Sequence, residues 1–408
     1  MSADHGAGVR VPAAPDRATR RARAAVAVLF LVNGAVIANV VPRIPEVKDA
    51  LELSNTALGL ALAAFPLGAL LGGPAVTAVV ARWGSGRVAV GSTLLTAADV
   101  LVVAQARSWA VLAAGFLVAG ALDVAADVAQ NAQGMRVQRL YGRSILNALH
   151  GVWSIGAVLG GGLGALAAGA GVPLTLHLAT VAVVFGGLTV GAAVHLLPGR
   201  DPAPAPAPGV PARRAGAAAR RRAVAVLLLP LGLIATFAAV LEDSAASWGA
   251  VYLREELGAG PAVAGLAFIA LQGAQTVGRL AGDRTVTRWG EARVARAGGL
   301  LAAAGATVAL LAPVPAVAVA GFGAAGLGVA TLIPSAMRVA DDLPGLPRGA
   351  GLTVISSMFR IGGLLSPPLV GAVADARGLR VGLAAVPLAG LAAVVLARHL
   401  SPRPPSTP

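Results

Sequence analysis

The sequence predicts an all-α membrane protein: twelve transmembrane helices in two parallel-repeat six-helix bundles. Three observations carry that prediction. Of 408 residues, 57% are hydrophobic and only 12% are charged, too little charge to cover a water-soluble chain of this length. The apolar residues fall in blocks of about 18–25, long enough to cross a hydrocarbon core of ~30 Å. The second half of the chain also repeats the first at a fixed spacing.

In order, the spans read at about 22–41, 55–81, 88–106, 109–133, 145–168, 173–197, 223–243, 261–281, 293–311, 314–337, 349–372 and 379–398. The first follows Arg20, Arg21 and Arg23 and has the look of a signal peptide. No small-residue cleavage site follows it and further spans do, so it reads as a retained helix. Pro42 and Pro45 close that span. Arg82 to Arg87 separates the second from the third, Pro173 and Pro198 bracket the sixth, and Pro313 parts the ninth from the tenth. The organisation is then a tail (1–21), a bundle (22–197), a linker (198–222), a second bundle (223–398) and a tail (399–408). The linker, PGRDPAPAPAPGVPARRAGAAARRR, reads as an extended Pro-Ala tether ending in an Arg cluster at the inner membrane surface.

The formal net charge is +14, which in a soluble protein would suggest nucleic acid. Here the basic residues sit in short loops. With the N-terminus inside, about 25 Lys/Arg fall in cytoplasmic segments and about 6 outside. The expected setting is the inner (cytoplasmic) membrane, with both termini cytoplasmic and lipid, not nucleic acid, as the partner. The chain has no cysteine, which excludes disulfides, thiolate metal sites and a thiol nucleophile. Its five His lack metal-ligand spacing, and no Ser/His/acid arrangement is apparent. No metal, cofactor or enzymatic centre is expected.

The repeat has an offset of 206 residues. RWGSGRV begins at Arg82 and RWGEARV at Arg288. Gly115-Phe116 and Gly120 match Gly321-Phe322 and Gly326; Ile155-Gly156 matches Ile361-Gly362; Gly59-Leu60-Ala61 matches Gly265-Leu266-Ala267. Each half holds an even number of spans, so the repeat is parallel.

A charge at membrane depth costs at least ~2.5–3.5 kcal/mol on insertion scales, so each one needs a reason. Asp123 lies about 21 Å along the fourth span from Trp109, with Asp127 one turn deeper and Asn131 toward the inner interface. Asp123, Asp127 and Gln130 share a face, which must point at a cavity or a neighbouring helix. Arg360 lies ~16 Å into the eleventh span and has Ser154 as its repeat mate. It reads either as a substrate contact or as a counterion to an acid such as Asp123. Pro367 and Pro368 should kink or end that helix. Asn33, Trp153, Ser154, Gln272 and Gln275 lie at similar depth, donors and acceptors beside a stacking face; helix–helix hydrogen bonds are the alternative. Asn147 and His150, low on the fifth span, are within reach of Asp127 or Asn131 as an inner gate. Glu242, Asp243 and Trp248 are expected at the outer end of the seventh span, as a gate or interface anchor.

These features together resemble the major facilitator superfamily over essentially the whole chain. The superfamily's loop signature is well formed at Gly278-Arg279-Leu280-Ala281-Gly282-Asp283-Arg284 followed by Arg288-Trp289-Gly290. Its first copy keeps Arg82, Gly84 and Arg87 but has Ala81 near the place of the acid. PRIPEVKDALELSNTALGLAL (42–62), DVAADVAQNAQG (123–134) and LEDSAASWGAVYL (241–253) look like the fucose-permease-like branch. The resemblance implies a monomeric secondary active transporter that moves a small-molecule substrate by alternating access, coupled to the proton, with a sugar-like solute. Asp123, with Asp127 beside it, is then the proton-coupling candidate, a fixed packing interaction being the alternative. Arg82, Arg87, Asp283, Arg284 and Arg288 become a gating latch. The first span carries Asn33 and Asn39 where the sugar-permease pattern has an acid. Export of a drug or metabolite is the second reading, and a non-transporting membrane sensor the third.

Overall fold

The computed structural model describes residues 16–199, 228–341, 343 and 349–401; most of the 198–222 linker, the first fifteen residues and the last seven lie outside them. Among the described residues, twelve helices are long and apolar enough to cross a membrane. They are α1 (Arg17–Ala38), α2 (Asn55–Trp83), α3 (Ser85–Ala104), α4 (Trp109–Tyr141), α5 (Leu146–Gly169), α6 (Leu174–Ala193), α7 (Leu229–Glu255), α8 (Pro261–Trp289) and α9 (Glu291–Leu311), then α10 (Pro315–Asp341, interrupted at 330–331), α11 (Ala350–Arg377) and α12 (Leu379–Leu400). The start of α1, both flanks of the linker and the end of α12 therefore share one face of the molecule, called here the terminal face; the other is the far face.

The ends of these helices follow from local chemistry. Asp16 caps α1 by accepting the Thr19 amide at 2.7 Å, and Ser54 caps α2 through the Ala57 amide at 3.1 Å. The repeated RWG motif has a structural reason. Gly84 (φ 86°) and Gly290 (φ 79°) each end one helix and start the next within a single residue. Only glycine takes that backbone angle without cost.

The repeat is also one of packing. Gly120 lies on the Phe65 carbonyl where α4 crosses α2, and Gly326 lies on the Leu271 carbonyl where α10 crosses α8. Both residues of the first contact map onto the second by the 206 offset. Backbones this close gain dispersion contacts that lipid cannot supply.

Three departures from the sequence reading alter the map. α7 does not end at 243 but runs to Glu255, so Glu242 and Asp243 sit at its middle and not at its outer end. α4 and α8 continue to Tyr141 and Trp289, carrying their polar last turns beyond the apolar blocks; the loop signature around Asp283 is thus helical. α11 passes through Pro367 and Pro368 and ends only at Arg377. In addition, α1 starts at Arg17, and Pro42 and Pro45 do not simply break the chain. They open a 3-10 turn (Val41–Arg43) and a short helix (Ile44–Ala50) across the far face.

At the far face the two halves meet. Asp375 on α11 accepts the Asn55 and Thr56 amides at the start of α2, at 2.9 and 2.8 Å. On the short helix, Lys48 pairs with Glu255 and Asp49 with Arg254 at 3.5 Å. A methyl group on Gly59 would run into the Pro367 carbonyl, and one on Gly265 into Ala165 and Pro42. At the terminal face, by contrast, the ion pairs formed by Arg338 with Asp283 and Glu291 stay inside the second half. Among the described residues, the hydrogen bonds and ion pairs named here that join the two halves lie at the far face.

Candidate substrate and proton site

The intramembrane polar residues of the first half converge on Asn33 of α1. Its Nδ2 donates to Asp123 Oδ1 at 3.0 Å. Its Oδ1 accepts from Trp153 Nε1 at 2.9 Å and from Gln130 Nε2 at 3.3 Å. One amide, only 8% exposed, thus joins α1, α4 and α5. The α1–α5 crossing brings Trp153 there, because Gly34 sits against the Trp153 carbonyl and Gly156 against that of Leu31. Trp153 and Asp123 stay partly exposed, while Ser154 is buried and does not join Trp153 at the surface of the site.

A second chain of contacts runs toward the terminal face. Asn131 donates to Asp127 Oδ1 at 2.9 Å, and its own Oδ1 lies 3.1 Å from His150 Nε2. The His150 ring meets Phe30 edge-on at 5.2 Å. Asn147 is exposed and outside this chain. Across the gap, Arg360 of α11 is close enough to act electrostatically on both Asp123 and Asp127, and no ion pair ties it to either.

The second half contributes buried amides. Gln275 is fully buried, and neither of its side-chain polar atoms has a partner; Gln272 leaves its Nε2 unpaired. The loop-signature residues behave differently from one another. Asp283 pairs at 3.4 Å with Arg338, not with Arg284 or Arg288. Arg288 lies 5.8 Å over the Trp289 ring, and Arg82, Arg87 and Arg284 are exposed.

Sequence reasoning missed several participants. Arg279, grouped with the loop, pairs with Glu242 at 3.7 Å inside the helical bundle. Glu242 is followed at once by Asp243 and Ser244, so the sequence reads as a span boundary although the helix continues through it to Glu255. Arg43 is 1% exposed and anchors the far end of α1, donating to Glu46 at 2.7 Å and to the Val172 carbonyl at 2.8 Å. His177 Nε2 meets Asn39 Oδ1 at 3.1 Å beside it. No sequence pattern predicts these pairs. Among the described residues, no group of three or more His, Cys, Asp or Glu is arranged to hold a metal.

Two repeated six-helix halves, joined at the far face by hydrogen bonds and ion pairs, with a buried polar cluster in each, define a polytopic membrane protein. The chain belongs to the Major Facilitator Superfamily, whose family model matches residues 26–248 and 231–408. It is 31% identical over 377 residues to the uncharacterized transporter y4wD of Sinorhizobium fredii, covering 91% of this chain and 97% of that one. Among solved structures it is similar to the nucleoside transporter NupG (TM-score 0.73, 13% identity, 94% of this chain and 98% of that one). It is also similar to a D-xylose-proton symporter (TM-score 0.69, 12% identity, 93% and 97%). At such identities the likeness is one of fold.

Proposed function

We propose that the chain is a proton-coupled secondary active transporter of a small, hydroxylated, sugar-like solute, and that its terminal face is cytoplasmic. The Asn33 junction carries this reading. It holds the Asp123 carboxylate at mid-depth in one half, while Arg360 acts on it from the other. A carboxylate takes up a proton more readily as a cation recedes and yields it as the cation returns. Rocking the halves changes the Arg360–Asp123 separation, so conformation and protonation are linked. Asp127, also within Arg360's influence, extends the route through Asn131 and His150 toward the cytoplasm.

The solute side of the site is the partly exposed Trp153 face on one half, with Arg360 and the buried amides Gln272 and Gln275 supplied by the other as the halves rock. Amides, a guanidinium and an aromatic face are what a polyol or sugar requires. The fold is shared with a nucleoside transporter and a D-xylose-proton symporter, whose solutes are hydroxylated, and the 42–62, 123–134 and 241–253 stretches favour the fucose-permease-like branch. The charge asymmetry of the loops supports cytoplasmic termini in an inner membrane. Arg82, Arg87, Asp283, Arg284 and Arg288 line the cytoplasmic rim, where they gate by engaging the other half when it closes.

The test is flux. Purified protein in proteoliposomes, screened with sugars, polyols and nucleosides, should move protons with at least one solute, and Asp123→Asn should retain solute binding while losing proton movement. A solute carried at full rate by Asp123→Asn, with its protons, overturns the assignment.

A further inference from the structure

Glu242 and Asp243 sit side by side at the middle of α7, about 20 Å from either end. Glu242 has a partner, Arg279 of α8 at 3.7 Å. Asp243 does not: its Oδ2 is buried without a hydrogen-bond donor, as is the Oε2 of Glu242. Nearby, one turn before Arg279, Gln275 is buried with both polar atoms unpartnered. Buried polar atoms without partners are few in folded proteins and gather at functional sites.

Charge accounting narrows the role. The charge acting on Asp243 is that of Glu242, of like sign. α10 between Pro315 and Val329 has no titratable side chain, nor has α12 between Ala385 and Leu396. α11 offers Arg360, which acts on Asp123 and Asp127. Lys48 and Asp49 on the short helix are engaged with Glu255 and Arg254 at the far end of α7. Arg43, in the 3-10 turn, pairs with Glu46. Toward the terminal face, Arg338 is held by Asp283 and Glu291. Two carboxyls thus stand beside one guanidinium that engages only Glu242, at membrane depth, where an uncompensated charge is costly.

We propose that Asp243 is a second proton-carrying site, in the half opposite Asp123, with the Glu242–Arg279 pair as its electrostatic switch. This rests on the proton-coupled reading above. In this conformer Asp243 holds its proton on a carboxyl oxygen. When the proton leaves to water, the carboxylate that remains recruits Arg279, which it then shares with Glu242. The protein therefore carries one titrating carboxyl set in each half, and the pair at α7 moves with the second half as it rocks.

Infrared spectroscopy of the full-length protein in lipid, in H2O and in D2O, reads this without knowledge of the solute. The parent should show a protonated-carboxyl carbonyl band at neutral pH, part of which Asp243→Asn removes and Asp243→Glu restores at a displaced frequency. Asp243→Asn should melt with the parent, since asparagine copies a neutral carboxyl, whereas Glu242→Gln frees Arg279 for Asp243 and should weaken the same band as Asp243 ionises. A carboxyl band unchanged in Asp243→Asn, or an Asp243→Asn melting well below the parent, overturns the proposal. Asp123→Asn removes its own component, so failure of the Asp123 reading leaves the Asp243 result standing, and the reverse.

Discussion

Substituting valine for Gly59 should drive the protein out of this conformer. A Cβ at that position would lie 2.8 Å from the Pro367 carbonyl carbon and 3.0 Å from Pro368 Cα, and closer still to the Pro367 oxygen. The obstacles are backbone atoms of a packed helix, so no side chain can swing aside. Overpacking of this kind costs about 1–3 kcal/mol. Because α2 and α11 belong to different halves, the cost falls on the state in which the far face is closed. The population ratio should then move about 5- to 160-fold toward the state open at that face. Gly120→Val is the control: its clash with the Phe65 carbonyl lies inside the first half, so it lowers stability in every state and shifts none. The chain has no cysteine, so spin labels at Arg139→Cys and Thr287→Cys, both exposed near the terminal face, report the opening directly. Gly59→Val should add a shorter interlabel distance to the parent distribution. A folded Gly59→Val with the parent distribution would refute the claim that this contact is specific to one state.

Other consequences follow from the same geometry. Asn33→Leu removes three hydrogen bonds from one junction. At ~0.6 kcal/mol each on average within membranes, and at most ~1.7, it should cost about 2 kcal/mol in thermal unfolding and also abolish proton coupling; a variant as stable and as active as the parent contradicts the junction's role. Lys48→Glu should weaken the far-face clasp by ~1 kcal/mol and populate the short interlabel distance, and Lys48→Glu with Glu255→Lys should restore the parent distribution. Arg338→Ala releases the exposed Asp283 and the partly buried Glu291, both within one half, so it should leave the label distances unchanged and cost about 1 kcal/mol; a changed distribution would make Arg338 a gate between the halves.

The sequence was most informative where one residue has one local job. The RWG turns and the 206-residue repeat are each decided by a few neighbouring atoms, and the helices they bound lie close to where hydropathy puts them. Hydropathy failed where a helix leaves the bilayer or carries charge inside it. Arg136 and Arg139 on α4 and Asp283 to Arg288 on α8 look like loops because they are polar, but backbone hydrogen bonding continues through them. Glu242-Asp243 looked like a boundary for the same reason, because a charge in an apolar block marks either an end or a site and composition does not separate the two. Within the candidate site, Asp123 and Arg360 stood out singly because charge at depth is expensive. Their partners did not: Asn33 meets Asp123 across 90 residues of chain, through helix packing to which the α1–α5 and α2–α4 glycine contacts contribute.

The central claim is that Asp123 couples proton movement to solute movement. Proteoliposomes loaded with a pH-sensitive dye, given a solute that the parent carries, measure this most directly when the parent is compared with Asp123→Asn. The account predicts that the parent moves protons with the solute and that Asp123→Asn binds the solute without net proton flux. Undiminished proton flux through Asp123→Asn contradicts it.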